Sequence, residues 1–424
     1  MTTTSRHEDQ GLRAPVVTDL GAPAAPLEAA WAPTAPALAA PAAGALAWLM
    51  AAHFTNDLYN NYLPALLPLL ADAHRLSLGK AGLLISISTI TGSLLQPVFG
   101  YVADSTRLRA VAAVGLACAA LGSALLGVAP SYFWLVLVTA LHGFGSAAFH
   151  PQSAGFVHLL SGDRKGTRMA IYIMAGQAGQ AIGPMVAAFV AVRAGLPWVA
   201  LTVVPALLVS LALVWVVPWH WRLAQRAAAP AGLNDVLRRN LGGLVRLMGL
   251  IMSRATLLHC MLALLPFLYR ARGAPATEGA AAISVMLFSG ALGGMVGGYL
   301  SDRYGRRQVL FVSFAIATPL FLAAIASTGP ATMVFLALGG GALLGSSSLV
   351  TVEAQSLLPT HTSLAAGMML GVSMGIGGLV VGPVSALAQS FGILPVLTAV
   401  SLLPLPGSLL TLSLARPASL PRSR

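Results

Sequence analysis

Apolar residues run along this chain in blocks too long for the core of a soluble domain. Twelve blocks can be drawn, at roughly 45–71, 81–103, 108–128, 132–159, 169–192, 197–218, 247–269, 279–300, 308–327, 331–357, 364–389 and 394–415. Most exceed the ~20 residues a helix needs to cross the hydrocarbon core of a bilayer. Polar residues gather in the short connections between them. The pattern predicts an all-α membrane protein with twelve transmembrane helices, called helix 1 to helix 12 in chain order. Gly and Pro inside the blocks are tolerable where neighbouring helices re-satisfy the backbone. Residues 1–43 differ. They are rich in Ala, Pro and Thr, with Pro23, Pro26, Pro33, Pro36 and Pro41 breaking any helix, and read as a disordered cytoplasmic tail rather than a secretory leader.

The twelve blocks form two sets repeated in the same sense. Pro68 and Pro266, Gly100 and Gly298, Tyr101 and Tyr299, and Asp104 and Asp302 are each 198 positions apart. The segment Gly179-x-x-x-Gly183-Pro184 returns as Gly378-x-x-x-Gly382-Pro383, at an offset of 199. The expected organisation is a six-helix bundle over 44–218, a cytoplasmic linker over 219–246, a second bundle over 247–415 and a tail over 416–424. The linker carries Trp219, Trp221, Arg222, Arg238 and Arg239 and reads as a tether with a short interfacial helix after Asn234.

Composition agrees: 57% of residues are hydrophobic and 8% charged, against about 25% charged in soluble domains. A net charge of +12 would suit a nucleic-acid partner if it were gathered on one surface, but it falls in the short loops. With both termini on one side, that side holds 18 Lys and Arg residues and the other holds 5 (Arg75, Lys80, Arg193, Arg270 and Arg272). The positive-inside rule then places both termini and the loops at 104–109, 161–168 and 302–307 in the cytoplasm. A multi-pass protein of the plasma (inner) membrane is expected, in contact with lipids and a small molecule, with no nucleic acid. Cys118 and Cys260 fall inside helices and read as buried thiols. No nucleotide-binding loop, metal cluster or nucleophile–base set is present, so neither an enzyme nor a cofactor is indicated.

Arg254, the remaining basic residue, lies within helix 7, where a charge is costly unless it faces a cavity. Helix 1 is the other polar span. His53, Asn56, Asp57 and Asn60 share one face at helical spacing, and a buried acid there should face water or a partner. Pro64 cannot donate to the carbonyl of Asn60, which leaves a free acceptor beside the patch. On helix 4, His142, Ser146 and His150 follow at i, i+4 and i+8, one stripe of the helix. Imidazole exchanges protons near neutral pH. The stripe is either a proton relay or a set of packing hydrogen bonds. Gln177 and Gln180 sit beside the glycine pair of helix 5. With the 198 offset, Arg254 corresponds to position 56, beside Asp57. The two charges are therefore expected at equal depth on opposite halves, Arg254 as an anion anchor and Asp57 as a proton site.

The connection between helices 8 and 9 carries the strongest pattern, Gly298-x-x-x-Asp302-Arg303-x-Gly305-Arg306-Arg307, with a degraded copy at Gly100-x-x-x-Asp104-x-x-Arg107. It resembles the signature loop of the major facilitator superfamily. That resemblance implies two parallel six-helix halves rocking about a central site, with these loops controlling the gates. The run Gly143-Phe144-Gly145-Ser146 … Phe149-His150-Pro151, followed by Gly176-x-x-Gly179-x-x-x-Gly183-Pro184, resembles the fosmidomycin-resistance family of efflux proteins over nearly the whole chain after the tail. The Gly179–Pro184 segment is also similar to the superfamily's antiporter motif, without its trailing glycine pair. Two departures stand out. The family pattern has Glu after Phe-His-Pro, where this chain has Gln152, and Glu again where this chain has Ser356. Glu353, one turn earlier, either takes over the acidic role or pairs with a cytoplasmic arginine.

The resemblance implies a monomeric secondary transporter that exports a small anionic or amphiphilic drug-like compound, fosmidomycin-like, in exchange for protons, and so confers antibiotic resistance. Two alternatives share the fold: an uptake symporter for an organic anion, and a membrane sensor or scaffold that no longer transports.

Overall fold

The computed structural model describes residues 2, 41–99, 111–161, 165–216, 233–358, 365 and 368–414, and every regular element among them is helical. Gly100, Asp104 and Arg107, half of the linker and nearly all of both tails lie outside the described residues. Eleven helices among the described residues are long and apolar enough to cross a membrane. They are Leu78–Phe99, Val111–Val128, Tyr132–Val157, Arg168–Arg193, Leu196–Val216, Leu237–Ala271, Ala276–Tyr304, Arg306–Ala326, Pro330–Leu357, Met374–Phe391 and Ile393–Leu412, here helices 2 to 12. Helix 1 completes the twelve in two pieces, Pro41–Asn60 and Tyr62–His74. It breaks at Asn61 because Pro64 cannot bond back to Asn60 and its ring crowds that carbonyl.

The repeat is visible in the element boundaries. Helices 2 and 8 begin at Leu78 and Ala276, helices 4 and 10 at Tyr132 and Pro330, and helices 5 and 11 end at Arg193 and Phe391, each pair 198 apart. Helix 7 differs from expectation. It is continuous from Leu233 to Ala271, so the stretch read as an interfacial helix of the linker is its first turns. Arg238, Arg239 and Arg246 interrupt the hydropathy pattern there without interrupting the backbone, since no proline occurs between Asn234 and Pro266.

Within the first half, helix 5 lies along helix 1 and helix 3 along helix 4. Between the halves, helix 8 packs on helix 5 and helix 11 on helix 2. Glycine sets two of these distances. A Cβ on Gly179 or Gly183 would stand 2.1 Å from the Phe54 carbonyl oxygen or 2.0 Å from that of Leu58, so helix 5 meets the bare backbone of helix 1. The second-half pair, Gly378 and Gly382, is one residue out of the 198 register, about 100° around the helix. It faces the other half: a Cβ on Gly378 would lie 2.3 Å from Thr89 Cγ2 of helix 2, while the in-register Gly377 is the residue packed against Ala255 of helix 7. Both prolines that follow free a carbonyl four residues back. Gln180 O accepts from Asn61 Nδ2 at 3.3 Å and Leu379 O from Ser86 Oγ at 3.3 Å.

At the rim where helices 1 and 7 end, Arg270 donates to Asp72 and, at 3.2 Å, to Pro68 O. Asp72 and Arg270 are the same repeat position carrying opposite charges. Theirs is the only ion pair joining the halves among the described residues. Both side chains are about half exposed, which limits the pair to about 0.2–1 kcal/mol. Asp72→Asn should therefore shift the balance of closed and open rim by about 1.4- to 5-fold. Spin labels at positions 76 and 274 would report it as a longer-distance population, and the charge swap Asp72→Arg with Arg270→Asp should restore the short distance. An unchanged distribution in Asp72→Asn would mean that packing alone holds this rim.

Candidate functional site

The polar face of helix 1 converges on one buried carboxylate. Asp57 is 3% exposed, and a lone carboxylate at that depth would cost several kcal/mol. Three helices supply donors that offset the cost. Asn56 Nδ2 and Asn60 Nδ2 each reach Oδ1 at 3.0 Å, and Gln180 Nε2 of helix 5 reaches Oδ2 at 2.9 Å. His150 Nε2 of helix 4 lies 3.2 Å from Oδ1, and His53 Nε2 lies 3.5 Å from Oδ2.

The two imidazoles are held from behind. His53 Nδ1 is 2.7 Å from Tyr172 O, and His150 Nδ1 is 2.8 Å from Ser146 O. A carbonyl only accepts, so each Nδ1 must carry its hydrogen. In the neutral tautomer each Nε2 would then turn a lone pair toward the carboxylate. For the 3.2 Å contact between His150 and Asp57 to be a hydrogen bond, one more proton has to lie between them. His53, Asp57 and His150 present ligand atoms within 4.8 Å of one another, so a divalent cation meets the same donor set.

Ser146 accepts from Asn56 Nδ2 at 3.2 Å, which ties the middle of the helix 4 stripe to helix 1. His142 fixes Asn60: its Nε2 is 2.9 Å from Asn60 Oδ1, while its Nδ1 meets Ala119 O and Ser123 Oγ of helix 3. Three contributors escaped the sequence reading of this cluster. Tyr172 stacks on His53 with ring centroids 4.0 Å apart and bonds Ser153 at 2.6 Å. A Cβ on Gly176 would stand 2.5 Å from His53 Nε2, so this glycine gives the imidazole its room. Ser123 is the third. Tyr172, Gly176 and Gln180 follow at i, i+4 and i+8, the same stripe rule that picked out helix 4. Gln177 lies off that stripe and is half-buried.

Beside the cluster is a cavity of about 380 Å3 between the halves. Asn60, Asn61, Ser146, His150 and Gln180 line it from the first half, with Ser88, Thr89, Gly92, Ser93 and Gln96 of helix 2. His259, Leu262, Leu287 and Met374 line it from the second half. Gly92 and Ser93 belong to a π-helical turn, Ile90–Leu94, an irregularity frequent at functional sites. Asp57 and Arg254 stand one residue behind this lining, on opposite halves. Arg254 is 3% exposed, donates to Ser347 Oγ and lies 3.9 Å from Met374 Sδ. Its Nε has no partner, and no carboxylate pairs with it among the described residues.

A family model for the Major Facilitator Superfamily matches residues 49–382. The chain belongs to the major facilitator superfamily. It is 28% identical over 375 residues to the fosmidomycin resistance protein of Escherichia coli (strain K12), covering 86% of this chain and 91% of that one. It is also 28% identical over 373 residues to YfnC, an uncharacterized MFS-type transporter of Bacillus subtilis (strain 168), covering 84% and 89%. In fold it is similar to a mutant of the nucleoside transporter NupG, with a TM-score of 0.72 at 16% identity over 87% of this chain and 99% of that one. A bacterial homolog of the human lysosomal transporter Spinster gives 0.69 at 16% identity over 88% and 96%. The expected twelve-helix fold of two parallel repeats stands. The chain is a multi-pass membrane transporter of this superfamily and not an enzyme.

The superfamily's signature loop forms the turn at the opposite rim from Arg270. Gly305 alone separates helix 8 from helix 9, at φ 89°, a conformation that favours glycine. Arg306 donates to Glu353 Oε2 of helix 10 at 2.9 Å, so of the two roles open to Glu353 the structure places it in an ion pair with this loop. Arg307 donates to Leu412 O, and Asp302 and Arg303 are exposed. Gly298, by contrast with Gly179, has open space where a Cβ would go.

Gln152 stands apart from the cavity in which it was expected. Buried to 3% exposure, it accepts from Ala112 N at 2.6 Å, which ties helix 4 to helix 3. Nothing in the local sequence links positions 40 residues apart. Gln152→Ala should cost about 1 kcal/mol, the usual net worth of a buried hydrogen bond, and lower the melting temperature of the purified protein. Gln152→Met fills much the same space without the acceptor and should also melt below wild type. Equal melting of Gln152→Ala and wild type would remove the bond from the stability of this bundle.

Proposed function

We propose that this transporter exports a small, drug-like organic anion by alternating access, and that protons bound at Asp57 drive it by antiport. The observation that carries the proton half is the pairing of His150 and Asp57. With His150 Nδ1 committed to Ser146 O, the contact at 3.2 Å is complete only when the pair holds an extra proton. Loss of that proton sets a lone pair against a carboxylate, so proton release and rearrangement of helices 1 and 4 go together. The anion half rests on Arg254, a buried guanidinium with no acidic partner among the described residues, beside a cavity of small-molecule size. The relative named for fosmidomycin resistance supports export and a fosmidomycin-like substrate.

The separation of the two charges supports antiport over symport. Had Asp57 paired with Arg254, protonation would free the guanidinium, and proton and anion would bind together. Asp57 is instead satisfied by donors of its own half, and Arg254 by Ser347 and Met374. Neither neutralises the other, so linkage between them has to run through the movement of the halves. On this reading Asp302 and Arg306 hold the outward-open state, and the rim carrying them faces the cytoplasm.

Expression in a fosmidomycin-susceptible strain should raise the inhibitory concentration of that compound, and Asp57→Asn should abolish the increase at equal expression. In proteoliposomes Asp57→Asn should lose accumulation driven by a pH gradient while keeping counterflow. Gradient-driven accumulation that survives Asp57→Asn would sink the proton assignment. Arg254→Gln removes hydrogen bonds to a charged group and should weaken substrate affinity by about ten- to a hundredfold. Arg254→Lys keeps the charge and loses the planar fork, so it should fall between. Unchanged affinity in both variants would return Arg254 to a packing role. A single cysteine at position 304 should resist an impermeant thiol reagent in intact cells, and ready labelling would invert the orientation.

A further inference from the structure

The second half carries a cleft that the transport reading does not use. It lies between helices 8, 9 and 10, encloses about 700 Å3, and has mostly apolar walls, with Val296, Val312, Ile316 and Leu338 among them. All four are exposed at 44–55%, so the cleft faces outward from the bundle. Along helix 8 its lining runs from Ser289 to Tyr304, about 22 Å at 1.5 Å per residue. That equals about half of a bilayer counted with its headgroup regions.

At the rim of the signature loop the cleft meets a second cavity of about 690 Å3, whose walls include Arg306 and Arg307. Tyr304, Gln308 and Val312 line both spaces. The charge at this mouth is only partly spoken for. Glu353 takes Arg306, but Arg307 is held by a neutral carbonyl, and Arg303 lies 5.5 Å over the Tyr304 ring with no acidic partner among the described residues. Asp302, exposed on the same turn, is a single opposing charge.

We propose that this cleft binds a phospholipid of negative headgroup charge, one acyl tail along helices 8–10 and the phosphate at Arg303 and Arg307. A slot one leaflet deep that ends in guanidinium groups complements an anionic amphiphile. A water-soluble anion has no use for the slot. A symmetric contact with a second copy of the chain would set two copies of the same cationic turn together. Because Arg306 shares the mouth, a bound headgroup sits beside the ion pair that ties the signature loop to helix 10.

The test is native mass spectrometry of the full chain, purified and stripped of lipid, titrated with phosphatidylglycerol or phosphatidylcholine of identical tails. Wild type should prefer phosphatidylglycerol at least fivefold, the effect expected of one basic side chain at a membrane surface. Arg303→Gln with Arg307→Gln should bring the two lipids to parity. Val312→Trp should weaken both by filling the slot, and Leu338→Trp tests the opposite wall should the first variant not fold. Equal binding of both lipids to wild type, or a preference that survives the double substitution, overturns the proposal. So does a dimer that excludes the lipid, or displacement of phosphatidylglycerol by fosmidomycin, which would assign the cleft to transported compound.

Discussion

One buried carboxylate midway along helix 1 constrains the first half of this protein. A buried acid must be surrounded by donors or leave the membrane interior, and Asp57 is reached from its own helix, from helix 4 and from helix 5. Hydrogen bonds of about 3 Å leave no slack between those helices. Helix 5 can come so close only because Gly176, Gly179 and Gly183 offer no Cβ toward helix 1. The break at Asn61 frees that side chain to bond Gln180 O, the carbonyl that Pro184 leaves open. Glycines, prolines and amides that look scattered in the sequence are consequences of placing one acid there.

The second half descends through the same 198-residue register and solves a different problem. At the position matching Asn56 it carries Arg254, and it surrounds that cation with a hydroxyl and a thioether rather than with acids. A buried guanidinium so weakly compensated is not a stabilising feature. Its retention beside a central cavity makes sense where a mobile anion completes it. The two halves thus differ in kind: the first is self-sufficient in charge and the second is not. The one-residue slip between the glycine pairs adds to the difference. It turns Gly378 away from its own bundle toward Thr89 of the other, giving helices 2 and 11 a close seam.

Much of this was legible in the sequence because membranes impose strong patterns. Lengths of apolar blocks gave the twelve helices, and a constant offset between prolines, glycines and acids gave the repeat. Helical spacing alone placed His53, Asn56, Asp57 and Asn60 together, and His142, Ser146 and His150 opposite them. Partners across helices were not legible. Gln152 joins Ala112, and Tyr172 backs His53, by contacts over 40 and 119 residues that no local period encodes. Helix 7 was misjudged at its start because charge ended the hydropathy pattern before the backbone ended the helix. Register placed Asp57 and Arg254 on opposite halves but says nothing of the direction in which each side chain points. Only the contacts show that Arg254 donates to Ser347.

The two rims differ in what holds them, and the difference bears on movement. At one, Asp72 and Arg270 link the halves through half-exposed side chains worth at most about 1 kcal/mol. At the other, the described ion pair, Arg306 with Glu353, stays inside the second half and does not join the halves in this conformation. The interfaces of helix 5 with helix 8 and helix 2 with helix 11 carry most of the remaining contact by apolar packing and small residues, and among the described residues Ser86 alone reaches across to the helix 11 backbone. Conformers separated by a few kcal/mol interconvert under the influence of a ligand, whereas a strongly bonded seam would commit the protein to one of them. A weak clasp at one rim therefore makes it energetically accessible for the halves to part there.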